Sequence, residues 1–173
     1  MNGNILESTG AAVPGRRPYT DPFTGVVTPY SISATARSPK AYATAIRADL
    51  GEAEAYKEAL HKRGEIGLQR PMGANVRGVD FITAVKNPHG NIEIVITDVK
   101  TTTTGRRAPT PKTYIPRTWQ MEVQEAIARL KLNDPNLEIK IREAYKLGRV
   151  RLRQLHVNYA PDPAHGMGKT TGW

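Results

Sequence analysis

Cysteine is absent from the chain. That excludes disulfide staples and thiolate metal centres, so any metal would be held by carboxylate, imidazole or backbone oxygen, a donor set that suits hard cations such as Mg²⁺. No stretch approaches the roughly 18 consecutive apolar residues of a membrane span. The N-terminus also lacks the basic-then-apolar pattern of a signal peptide, and the expectation is a soluble chain. Missing too is the Gly-x-x-x-x-Gly-Lys-Ser/Thr loop that cradles nucleotide phosphates; Gly166-Met167-Gly168-Lys169-Thr170-Thr171 echoes only its end. The histidines, His61, His89, His156 and His165, fall at no metal-ligand spacing, which disfavours a histidine-held zinc. Negative charge is scarce: 16 Asp and Glu face 25 Lys and Arg, for a net charge of +9. Such an imbalance attracts a polyanion from a distance and holds it by counterion release, so nucleic acid is the expected partner.

What is present is enough for one ordinary core, with 39% hydrophobic residues in a chain of 173. Residues 1–37 are rich in Gly, Pro, Ser and Thr and read as a flexible arm, 38–160 as the folded domain, and 161–173 as a frayed tail. Ser38-Pro39 is a helix start, and Tyr42, Ile46, Leu50, Ala53 and Leu60 repeat at helical spacing as far as Arg63-Gly64. Glu65 to Arg70 is a short extended candidate. Val79 to Val85 and Ile92 to Lys100 are rich in β-branched residues and flank Asn87-Pro88-His89-Gly90-Asn91, which predicts an antiparallel hairpin. A basic loop follows, forced by Gly105 and the prolines up to Pro116. Pro116-Arg117-Thr118 opens a second helix with Trp119, Val123, Ile127 and Leu130 on one stripe. Asp134-Pro135 opens a third, with Leu137, Ile141, Ala144 and Tyr145 on one face and Gly148 at its end. Val150 to Tyr159 alternates as a strand, and the slip in its apolar phase between Leu152 and Leu155 predicts a bulge. The whole is a small mixed α/β core.

The chemistry lies in the hairpin. Asp80 sits in Gly78-Val79-Asp80-Phe81-Ile82, and Asp98 and Lys100 end the run Ile94-Val95-Ile96-Thr97-Asp98-Val99-Lys100. Side chains alternate along a strand, so Asp98 and Lys100 share the face of Ile92, Ile94 and Ile96, and Val99 points the other way. An acid ending a buried row needs a cation, a lysine or several donors. The hairpin can bring Asp80 beside Asp98. Two adjoining carboxylates repel unless a divalent ion neutralises them, and a nearby ammonium can orient a water or stabilise charge on phosphate. The plainer alternative is a strand-end ion pair, with Asp80 marking a turn. Arg106, Arg107 and Lys112 in the basic loop are natural phosphate contacts. Arg149, Arg151 and Arg153 on the last strand are either further contacts or edge-strand protection.

In Gly-Val-Asp80, the hairpin spacing, Asp98-Val99-Lys100 and a glutamine-bearing helix afterwards, residues 50 to 159 resemble the PD-(D/E)xK nuclease superfamily, with Val79 in place of the proline of its name. The resemblance implies a restriction-endonuclease-like core, a central mixed β-sheet of about four strands flanked by helices. It further implies that Asp80, Asp98 and the Val99 carbonyl bind Mg²⁺, or Mn²⁺ in its place, and that Lys100 positions the attacking water. A glutamate from the first helix would join them, Glu54 ahead of Glu52 and Glu58, and so would the helix glutamine Gln120, with Gln124 one turn later. As ordinary polar residues of amphipathic helices, these glutamates and glutamines need no function. By analogy with nuclease toxin domains of bacterial competition systems, the chain would be a delivered effector, cutting DNA in a target-cell cytoplasm and restrained by an acidic immunity protein. Two alternatives stand beside this: an RNase of the same fold acting on transfer RNA, and a non-catalytic basic module that binds nucleic acid or serves a phage-type structure.

Overall fold

The computed structural model describes residues 39–72, 78–102, 112–158 and 169–173, together with the pairs 19–20 and 27–28. Most of the N-terminal arm, the loop carrying Arg106 and Arg107, and much of the C-terminal tail lie outside the described residues. In chain order the elements are β1 (Tyr19–Thr20), β2 (Val27–Thr28), α1 (Pro39–His61), β3 (Ile66–Gln69), β4 (Phe81–Lys86) and β5 (Ile92–Thr102). They continue with α2 (Arg117–Ala128), α3 (Pro135–Lys146), β6 (Val150–Asn158) and β7 (Lys169–Thr171). The first two strands form a small antiparallel pair of their own. The other five make one mixed sheet in the order β3-β4-β5-β6-β7, with helices on both faces.

The β4–β5 hairpin forms for local reasons. Asn87 Oδ1 accepts the N–H groups of His89 and Asn91, each at 3.0 Å, and Gly90 takes φ +81°, which suits glycine. β5 and β6 are parallel, so a crossover must join them, and α2 and α3 provide it. Asp134 starts α3 by accepting from the N–H groups of Asn136 and Leu137, with Pro135 at the first helical position. The core lies on both sides of the sheet. Ile82, Ala84, Ile92, Ile94 and Ile96 pack against Trp119, Val123, Ala126 and Ile127 of α2 and Ile141 and Ala144 of α3. On the opposite face Phe81, Val99, Leu155 and Val157 meet Ala55, Tyr56, Ala59 and Leu60 of α1.

Three details depart from the sequence reading. The register of β6 on β5 is unbroken from Val150 to Asn158, and the irregularity falls in β3, between Gly67 and Gln69. The slip in β6 reflects a change of face, because Leu152 packs with α2 and α3 whereas Leu155 packs with α1. The segment 169–171, expected to fray, pairs with β6 as the fifth strand. Finally, the buried face of α1 differs in part from the expected stripe: Leu60 is buried as expected, but Leu50 is 39% exposed, and Ala55, Tyr56 and Ala59 turn inward with Leu60.

Candidate active site

β4 begins at Phe81, one residue after Asp80, whereas β5 runs on to Thr102. The ladder continues one step beyond β4 all the same. The Asp80 N–H donates to the Thr97 carbonyl at 3.2 Å, and Asp80 Oδ2 accepts the Val99 N–H. The carboxylate thus stands in for the backbone acceptor that a longer β4 would have offered, so a buried N–H keeps its partner. The N–H and C=O of one strand residue point toward the same neighbour, which turns the Val99 carbonyl toward the Asp80 side. Asp98 and Lys100, alternating with Val99, lie on the face covered by α2 and α3. Asp98 is only 7% exposed. Lys100 Nζ donates to its Oδ1 at 2.6 Å, and Gln154 Nε2 to its Oδ2 at 3.2 Å. Gln154 reaches it because the parallel register sets Gln154 beside Asp98.

α2 brings a further carboxylate. Glu122 Oε2 accepts the Val79 N–H at 3.2 Å and a Gln69 Nε2–H at 3.3 Å. Burial pushes the Asp80 carboxyl up to about 7 from 3.8; the charges of Asp98 and Glu122 add to this, while the Val99 N–H and Lys100 oppose it. Glu122 is raised as well, by burial first, against the hydrogen bonds from Val79 and Gln69. Asp80 thus lies beside two further acids, Asp98 and Glu122, with Lys100 as the cation acting against them.

Compared with known proteins, the chain matches no family model, no curated protein and no solved structure. Two carboxylates and a backbone carbonyl are hard oxygen ligands. That set fits Mg²⁺, which commonly takes one or two carboxylates and keeps water and substrate phosphate in its remaining positions. Among the described residues no group of three or more His, Cys, Asp or Glu could hold a metal by itself, so a closed structural site is not the fit. For an ion to engage Asp98 Oδ1, Lys100 must share or release it. Its side chain, 38% exposed, has room to do so.

Of the other residues singled out by sequence, Glu54 is on the exposed side of α1, and α1 covers the face opposite Asp98 and Lys100. Glu52 is buried, and Glu58 lies 3.7 Å from Arg63. None of these three is among the charges acting on Asp80. Gln120 is exposed and donates from Nε2 to the Ile115 carbonyl at 3.1 Å; Gln124 is exposed too. Arg106 and Arg107 lie outside the described residues. Lys112 is exposed, with Nζ 4.0 Å from the centre of the Trp119 ring.

Arg153 is no phosphate contact. It is 6% exposed, and its Nη1 and Nη2 donate to Glu65 at 2.6 and 3.0 Å. Thr97 and Thr83 complete that network. β7 pairs with only His156 to Asn158 of β6, so among the described residues no strand covers the outer edge of the stretch that carries Arg151. Arg151 pairs with Glu93 at 3.1 Å. The sequence reading passed over Glu122 and Gln154. Glu122 does carry a signal, because it borders the apolar stripe between Trp119 and Val123. Gln154 carries none that is local.

Proposed function

We propose that this chain is a divalent-metal-dependent endonuclease of the PD-(D/E)xK kind, with a restriction-endonuclease-like core, that hydrolyses phosphodiester bonds, DNA ahead of RNA. One observation carries the reading: the hairpin sets the half-buried Asp80 against Asp98-Val99-Lys100 at the end of an apolar row, where burial and the neighbouring acids Asp98 and Glu122 push its carboxyl up. A bound Mg²⁺ would supply electrostatic stabilisation of the phosphate and an activated water. Asp80 and Asp98 would hold the ion together with the Val99 carbonyl. Gln154 keeps the Asp98 carboxylate in one orientation. Lys100, released from Asp98 Oδ1, would hold the attacking water or stabilise charge developing on the phosphate. The net charge of +9 supports a polyanionic substrate. Delivery as an antibacterial toxin, with an acidic immunity protein as its inhibitor, belongs to the same proposal and rests on analogy alone.

A second reading, a basic nucleic-acid-binding module without catalysis, is favoured by the contact at 2.6 Å in which Lys100 and Asp98 satisfy each other. The two readings separate in one assay. Plasmid DNA and total RNA are incubated with the purified chain in Mg²⁺ or in EDTA, beside Asp98→Ala and Lys100→Ala. The nuclease reading expects Mg²⁺-dependent cleavage that each substitution reduces by roughly 10²-fold or more, as loss of a positioned catalytic group does. Intact substrates under every condition would leave only the binding module, and cleavage surviving both substitutions would move the site elsewhere.

A further inference from the structure

We propose that Glu122 is the positioning residue of Asp80, a clamp from α2 that fixes the chain just before the first candidate ligand; what Asp80 then does rests on the nuclease reading above. The clamp converges on a single atom. Glu122 Oε2 takes one donor from β3, the Gln69 amide, and one from the segment entering β4, the Val79 N–H. Gly78 adopts φ +135° there, a conformation that favours glycine, and passes close enough to Glu122 that a Cβ would displace its carboxylate. Val79 is thereby tied to a helix, and Asp80 is the next residue. Apart from this tie, the hydrogen bonds of Asp80 among the described residues are to β5, through the Thr97 carbonyl and the Val99 N–H.

Glu122 Oε2 is taken up by a backbone and an amide donor, and among the described residues Glu122 completes no metal-holding group. Positioning, not ligation, is the role this geometry supports. Partners one layer behind a ligand set its orientation, and their loss weakens metal binding by roughly 10–100-fold.

The test is titration of the nucleic-acid-free protein with Mg²⁺, followed by calorimetry, in wild type, Glu122→Met and Glu122→Gln, with thermal melts of each. Glu122→Met keeps a helix-forming side chain of similar length and removes both acceptor oxygens. It is expected to weaken Mg²⁺ binding roughly 10–100-fold. Glu122→Gln is expected to stay close to wild type, because one amide oxygen can take both donors. Unchanged binding in Glu122→Met overturns the proposal. So does a Glu122→Gln as weak as Glu122→Met, since charge rather than hydrogen-bond geometry would then matter. Should Glu122→Met fail to fold, Glu122→Asp keeps the charge and draws both oxygens back by one methylene from the Val79 N–H; it is expected to lose Mg²⁺ affinity, and unchanged affinity overturns the clamp. A wild type that binds no Mg²⁺ overturns the parent reading before any variant is considered.

Discussion

Asp80 serves the sheet and the pocket at once. Its carboxylate closes the ladder where β4 stops, and the same burial that makes this useful makes its charge unfavourable. A carboxyl whose folded value, about 7, exceeds 3.8 stabilises the ion-free fold fully below the lower value, and that contribution is lost as pH rises through the upper one. Asp80→Asn keeps an acceptor for the Val99 N–H and removes the titration. Ion-free wild type in EDTA should therefore lose melting temperature relative to Asp80→Asn as pH climbs from 3.8 to about 7. A difference between the two that does not change with pH would contradict this account of Asp80. Asp98 and Lys100 could be set on one face from sequence because alternation along a strand is a local rule. Glu122 and Gln154 could not be connected to them, since one needs the packing of α2 and the other the register of a parallel strand far along the chain.

The elements divide along the same line. The β4–β5 hairpin and the start of α3 were legible because their signals are short-range: an asparagine that folds its own turn, and Asp134-Pro135 capping a helix. The inward face of α1 was legible at Leu60 and not at Leu50. Close packing on β5 favours small side chains, and a Cβ on Gly51 would collide with Thr101, so Ala55 and Ala59 face the sheet in place of Leu50. β7 escaped notice because three residues become a strand only when β6 is there to pair with them. Packing between elements also has its own test. Arg142 of α3 donates to the Ile127 and Leu130 carbonyls at 2.8 and 2.9 Å, satisfying the end of α2, and is held by Glu138 at 2.9 Å. Arg142→Met should cost about 1–3 kcal/mol in denaturant unfolding and leave Mg²⁺ affinity unchanged, because the joint lies away from Asp80 and Asp98. Unaltered stability would mean that α2 ends without need of it.

At the scale of the molecule, one hairpin sits in a five-stranded sheet with helices on both faces, and the candidate site lies where β5 outruns β4. The mutual repulsion of Asp80, Asp98 and Glu122 in a chain of net charge +9 is what supports the proposal of a cation-assisted reaction on a polyanion. The central claim is that Asp80, Asp98 and the Val99 carbonyl converge on one divalent ion. Crystals soaked in Mn²⁺ and measured for anomalous scattering test it most directly. The account predicts a single strong peak within roughly 2.0–2.3 Å of those three groups, at ordinary ligand distances for such ions, with Lys100 moved off Asp98 Oδ1. A well-ordered site at saturating Mn²⁺ with no peak there, and with Lys100 still on Asp98, would contradict it.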